Sequence, residues 1–209
     1  IEEANAYKGL IKLKNITNDK LAKIIGKSSS YVSNTLRLLE LEQQIQELLD
    51  KKTIEEVLLR YGRTQDWLDT PGQNSCFWPD GEIDFGFFEG NGADWVAHVM
   101  PHEAEALRRW HMSTSIMINI DGNKATAECY GIAVGTSKLE DGTLQDSMYG
   151  GRYLDELEKR FGEWRISKRT YILDWANQFP NALEASTGAD FALNILEISE
   201  PDHDMYRPL

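Results

Sequence analysis

The chain predicts an α+β domain built on an antiparallel sheet, preceded by a small all-helical segment. Three observations carry this. The first fifty residues hold helical periods and almost no strand signal. From about Thr53 apolar and polar residues alternate, broken by the turns DGN, EDG and FGE. Charge divides at the same place: residues 1 to 52 hold nine basic against seven acidic side chains, and the remaining thirteen basic residues face twenty-seven acidic ones, within a net charge of -12. Helices first and antiparallel strands after them make two domains, 1–52 and 53–209.

In IEEANAYKGLIKLKN, Ala4, Tyr7, Leu10 and Ile11 share one face and Asn15 ends the helix. Thr17 is a suitable N-cap for a second helix carrying Leu21, Ala22, Ile24 and Ile25. Gly26 can end it in a left-handed conformation, and Ser28 can cap the next. That third helix carries Val32, Leu36 and Leu39 inward. Helix, short glycine-containing turn, helix is the layout of a helix-turn-helix, whose second helix enters the major groove of DNA. On that reading Ser28, Ser30, Tyr31, Ser33 and Asn34 face DNA and Lys27 and Arg37 lie near phosphates, within residues 17 to 40.

Thr53 followed by Glu56 is a capping-box pair, yet no Gly or Pro separates it from LLDKK, so either one continuous helix or a tight kink is expected at Lys51 to Thr53. Val57, Leu58, Tyr61 and Leu68 form its apolar stripe. ADWVAHVMPHEAEALRRW reads as a helix pair broken at Pro101. Strands are expected in WPDGEIDFGFFEG, in TSIMINIDGNKATAECYGIAVGTS and from DSMYGGRY to YILDW. After Trp175 periodicity fades, apart from a short helix or strand at FALNILEI, and PDHDMYRPL reads as a solvated tail.

Asp66, set among apolar residues, needs a partner, because burying an unpaired carboxylate is costly. His111, where a helix hands over to a long strand, is the best candidate. A carboxylate on one imidazole nitrogen fixes the tautomer and raises the basicity of the other. The aromatic set Phe77, Trp78, Phe85, Phe87, Phe88, Trp95 and Trp110 is mostly core, with two or three members lining a cavity; Tyr130, Tyr149 and Trp175 are further lining candidates. His98 and His102 have a metal-ligand spacing, but Pro101 lies between them and no third ligand is evident, so no metal is expected. Cys76 and Cys129, in no metal or CxxC spacing, read as buried thiols. No apolar run is long enough for a membrane span, and with no signal-peptide layout a cytoplasmic protein is expected. The chain begins at Ile1 and reads as a fragment.

IEEANAYKGLI, TNDKLAKIIGKSSSYVSNTLRLLEL and IQELL resemble the DNA-binding region of the ParB partition proteins over roughly the first fifty residues. The resemblance implies DNA binding and not partition, since that family's nucleotide-binding domain has no counterpart here. Ser29 also stands where the family often has an arginine after the turn, which removes a guanine-reading group. RYGRTQDWLD, FWPDGEIDFG, HMSTSIMINIDG, AECYG, GGRYLDELEKRFGEWRISKR and ILDW resemble the SnoaL-like group of the nuclear-transport-factor-2-like superfamily over about residues 53 to 175. This implies a curved sheet wrapped by helices into a cone around an apolar pocket, commonly paired through its open sheet face as a homodimer. Asp66 and His111 match the proton-abstracting pair of members of the dehydratase and dehydrochlorinase type. Arg169 matches an arginine used towards the leaving group, and Tyr61 stands where the dehydrochlorinase has a lysine.

Together these readings give a cofactor-independent lyase or isomerase acting on a small apolar or oxygenated, ring-containing molecule. His111 is the base, Asp66 its orienting partner, Tyr61 or Arg169 the group that stabilises developing charge, and Trp95, Phe88, Trp110 and Tyr130 line the pocket. The alternatives are a non-enzymatic sensor joined to a DNA-binding module, or an accidental or engineered fusion without common function.

Overall fold

The computed structural model describes residues 1–181 and 200–208, so the expected element at FALNILEI lies outside the described residues. Two compact units meet between Lys52 and Thr53. Among the described residues no helix is long and apolar enough to cross a membrane.

The first unit holds α1 (Glu2–Lys14), α2 (Asn18–Ile25) and the start of α3 (Ser29–Asp66). Each boundary has a local cause. Asn15 ends α1 in a left-handed conformation (φ 47°), Thr17 Oγ1 accepts the Lys20 N–H, and Gly26 ends α2 at φ 67°. Ser28 Oγ accepts the Tyr31 N–H, which starts α3. Tyr7, Leu21, Ala22 and Val32 form a small core with Leu10, Ile11, Ile16, Ile25 and Leu36 at its edge. Ile24 is not part of it; it points to solvent. No break interrupts α3 at Thr53.

In the second unit α3 is followed by α4 (Thr70–Asn74), β1 (Phe77–Asp84), β2 (Glu89–Asn91), α5 (Gly92–Glu105), β3 (Arg108–Asp121), β4 (Lys124–Lys138), β5 (Leu144–Arg160) and β6 (Glu163–Pro180). The strands form one curved sheet in the order β2-β1-β6-β5-β4-β3. Four pairings are antiparallel, as expected; β1 against β6 is parallel, making the sheet mixed. The two-residue turn Phe161-Gly162 takes φ 56° and 87°, the primed geometry whose twist suits a hairpin.

Two expectations give way here. α5 runs through Pro101 as a single helix, and Arg108 to His111 belong to β3. Pro101 costs α5 one backbone hydrogen bond without ending it, and Trp95, Val96, Val99 and Met100 hold the helix on the core across that point. PDHDMYRPL is anchored: the Tyr206 ring packs edge-on against Trp67, its hydroxyl donates to Asp69 Oδ2 at 2.8 Å, and the Arg63 guanidinium lies over the ring and donates to the Arg207 carbonyl.

The core lies between the inner face of the sheet and helices α3 and α5, which contribute Ile54, Val57, Leu58, Tyr61, Trp95, Val96, Val99 and Met100. Inside it Arg169 and Asp155, side by side on β6 and β5, are both without accessible side-chain surface. The guanidinium gives Asp155 two hydrogen bonds of 2.7 and 2.8 Å, and Tyr61 and Tyr153 present their rings to it at 4.2 and 4.3 Å. Burial opposes the guanidinium's charge, but Asp155 more than compensates and holds its pKa above the usual arginine value.

Removing one partner of such a pair strands the other charge. Arg169→Ala should cost about 3–5 kcal/mol in urea unfolding. Arg169→Met combined with Asp155→Leu should restore most of that loss.

Candidate active site

Asp66 ends α3 and His111 sits near the start of β3; a glycine brings them together. A Cβ added at Gly62 would stand 2.9 Å from the His111 Cβ, so only glycine lets the last turns of α3 lie this close to β3. One turn on, Asp66 takes both the His111 backbone N–H (3.1 Å, Oδ2) and the ring Nδ1 (2.8 Å, Oδ1). Two contacts from one carboxylate fix the ring's position and its rotation, leaving Nε2 to face the interior.

A cavity of about 440 Å³ opens there. Its wall includes Tyr61, Gln65, Trp95, Glu103, His111 and Tyr153. Phe85 stacks between Trp95 (centroids 4.0 Å) and Tyr171 (5.4 Å), building a continuous aromatic side. Two polar atoms in this wall have no protein partner although their residues are almost wholly buried: Trp95 Nε1 and one end of the Gln65 amide, whose other end donates to the Tyr61 hydroxyl at 3.4 Å. Both atoms have almost no accessible surface, so they are sealed within the wall and not presented to the cavity.

Glu103, on the last turn of α5, stands with Oε1 3.8 Å from His111 Nε2, so the imidazole lies between two carboxylates. Burial pulls the His111 pKa down, but the Asp66 hydrogen bond and the charges of Glu103 and Asp66 outweigh it against the opposing Arg109 charge. The net shift is upward. Burial also pushes the Tyr61 phenol far above its usual value, Arg169 notwithstanding, so Tyr61 keeps its proton. The Cys76 and Cys129 thiols, both free and buried, are raised to about 12 and are not nucleophiles at neutral pH.

Among the residues expected at the site, His111, Tyr61, Trp95 and Tyr149 line this cavity, and Asp66 stands behind His111 on Nδ1. Phe88 stands behind the wall, edge-on to Trp95 at 5.2 Å. Arg169 is sealed beneath it, spent on Asp155. Trp110 and Tyr130 do not reach it: strand parity puts them on the outer face, opposite Val134 and Thr114, where both are about half exposed. Trp175 is on that outer face too, its indole lying on Gly150. Sequence reasoning missed Gln65, Glu103, Tyr153 and Tyr171 as wall residues. The helical spacing Trp95, His98, Val99, His102, Glu103 carried the signal for Glu103, hidden by the helix break expected at Pro101. No group of three or more possible metal ligands exists among the described residues.

The model of the SnoaL-like domain matches residues 46–170. The chain belongs to the SnoaL-like family. Two solved structures show the same fold. One is a provisionally assigned scytalone dehydratase of Novosphingobium aromaticivorans, 19% identical with a TM-score of 0.56, covering 63% of this chain and 88% of that one. The other is hexachlorocyclohexane dehydrochlorinase LinA-type3 of Novosphingobium barchaimii, 19% identical with a TM-score of 0.56, covering 67% and 95%. Identities this low speak for the SnoaL-like fold alone.

Residues 1–63 match the model of the ParB helix-turn-helix domain. The nucleoid occlusion protein of a Geobacillus species is 50% identical over 56 residues, which are 27% of this chain and 20% of that protein. The SnoaL-like chain therefore spans about a fifth of the length of such relatives. In its helix-turn-helix Lys27, Ser28, Ser30, Asn34 and Arg37 are exposed and Ser33 is half-buried. Tyr31 is partly engaged: its hydroxyl reaches the Glu3 carboxylate at 3.1 Å and Lys27 lies over its ring.

Because the folded pKa of His111 is raised above its ordinary 6.5, the stabilisation from its ion pairs is complete below that value. It is lost as pH rises through the folded value. Urea unfolding followed from pH 6 upward should show this decline, and Asp66→Asn should flatten most of it.

Proposed function

We propose that the second unit binds a small, ring-containing, oxygenated molecule and catalyses elimination or isomerisation begun by proton abstraction. The observation that carries this is the Asp66 carboxylate on Nδ1 of His111 with Nε2 turned into an aromatic-walled cavity. In the neutral ring Asp66 holds the proton on Nδ1, so the Nε2 lone pair faces the ligand and can take a proton from carbon. Tyr61, which lines the cavity and keeps its proton, carries the uncharged hydroxyl for an oxygen on the ligand. Aromatic walls exclude water, and hydrogen bonds gain strength in such a medium. The chemistry proposed asks for no cofactor.

A panel of β-hydroxy ring ketones of one to three rings, followed by the ultraviolet absorption of the conjugated enone, tests the reading. Wild-type protein should turn over at least one of them, and His111→Ala should lose about 100-fold or more, the scale of general-base catalysis. Turnover left intact by His111→Ala, or no turnover across the panel, would remove the assignment.

A second reading applies to the first unit. Its match to a DNA-binding module and its exposed Lys27, Ser28, Ser30, Asn34 and Arg37 favour docking of α3 on duplex DNA, with the surplus basic charge on phosphates. A homodimer is proposed through the outer sheet face, where Trp110, Met112, Tyr130, Leu154 and Trp175 are exposed. Sedimentation velocity tests both proposals. The free chain should sediment as a dimer, and a labelled mixed-sequence duplex should co-sediment at low salt and dissociate as salt rises. A monomer, or a duplex that stays free at low salt, would remove the corresponding proposal.

A further inference from the structure

Proton abstraction accounts for half of an elimination, since the departing oxygen also needs a proton. When C–H and C–O cleavage are concerted His111 cannot supply it while taking the proton from carbon, and Tyr61 is held firmly to its own proton by burial. The position of Glu103 offers an answer. Its carboxylate lines the same cavity and faces the working nitrogen of His111 at 3.8 Å, too far for a direct hydrogen bond and near enough for strong electrostatic interaction. Its side chain is 17% exposed, and its carbonyl is held by Arg109 Nε at 2.7 Å and by the Ala106 N–H, so the turn that presents it is fixed.

From Nε2 of His111 and the carboxylate of Glu103 we infer a pair that holds one proton between them, with Glu103 as the acid for the leaving oxygen. This rests on the reading of His111 as base. In the open, wet cavity the proton resides on the imidazole, which then lies as a cation between the Asp66 and Glu103 carboxylates. A ring-shaped apolar ligand expels water from the cavity, and separated charges are costly in such surroundings. The arrangement with a neutral imidazole and a carboxylic acid has the same proton count and one fewer pair of charges, so ligand entry favours it and arms both groups at once.

The step then balances. Nε2 takes the proton of the carbon, the electrons of that C–H bond form the new double bond, and the neighbouring C–O bond breaks. The oxygen takes the Glu103 proton and leaves as water. The products are an imidazolium and a carboxylate, which is the resting arrangement, so the site resets without exchanging a proton with solvent. Asp66 from α3, Glu103 from α5 and the Arg109 charge from β3 act on His111 directly, and the cavity it opens on is shared with Tyr61 from α3, His98 and His102 from α5, Tyr149 and Tyr153 from β5 and Tyr171 from β6. Asp66 is already committed to Nδ1, Arg109 donates to backbone carbonyls, and Glu103 is the carboxylate on the Nε2 side.

The test has two parts, both on the full chain. In the first, histidine labelled with ¹⁵N is followed by NMR as pH is raised without ligand, His111 being assigned with a His111→Asn variant. Glu103→Gln, which keeps size and polarity, should lower the His111 midpoint; an unchanged midpoint would overturn the shared proton. In the second, 3-hydroxycyclohexanone reports elimination, and cyclohexanone, which has nothing to expel, reports exchange of its α-protons in heavy water. Glu103→Gln should keep exchange within a few-fold and lose elimination by about 100-fold. Elimination that survives, or exchange lost to the same extent, would overturn the acid role. A wild-type protein inert to both ketones counts against the proton-abstraction reading, and the titration still decides whether the proton is shared.

Discussion

Arg169 and Asp155 lie at the centre of the second unit, cut off from solvent, with Tyr61 and Tyr153 closing over the guanidinium. An ion pair in this position has lost the hydration of two charges and is held by geometry: parallel hydrogen bonds on one side, ring faces on the others. Much of the architecture follows from keeping the two charges together, although Nη1 of the guanidinium has no hydrogen-bond partner of its own. β5 and β6 must stay in the register that sets position 155 opposite 169. Tyr61 must present its ring to the guanidinium at 4.2 Å, which limits the rotation of α3 about its axis. Once that rotation is set, Gly62 faces His111 and Asp66 comes within reach of both nitrogens it binds. An arginine that sequence comparison suggests for the ligand acts instead as the foundation on which the ligand's wall is laid.

The site itself is an imidazole between two carboxylates inside a wall of rings. Asp66 makes close, directed contacts, which gives it an orienting character; Glu103 stands off at 3.8 Å from Nε2, beyond a direct hydrogen bond. The same charge pattern favours a protonated ring when water is present and disfavours it when water is displaced. A cavity of this size thus changes its own acid-base state according to what fills it.

Much of this was legible in the chain. Helix starts and stops at Asn15, Thr17, Gly26 and Ser28 depend on side-chain chemistry within four residues, and the turns DGN, EDG and FGE are equally local. Asp66 and His111 could be singled out because an isolated carboxylate in an apolar run is a cost that must be met. What stayed hidden depended on parity and register. Trp110 and Tyr130 were indistinguishable from wall residues until the strand phase was known, and the bulges at Thr114 to Met117 and at Gly150 to Gly151 shift that phase. Glu103 was masked by Pro101, which tertiary packing tolerates within a single helix. The parallel pairing of β1 with β6 joins residues some ninety positions apart, for which no local signal exists.

The segment from His203 to Arg207 has a consequence for how the protein can be handled. It is tied to Arg63, Trp67 and Asp69, the residues that flank Asp66 on either side. Altering the chain close to Tyr206 therefore works on the turn that carries the orienting carboxylate, even though the alteration lies more than a hundred residues away in sequence. Tyr206 and the Asp66 carboxylate thus share one mechanical support, the turn from Arg63 to Asp69.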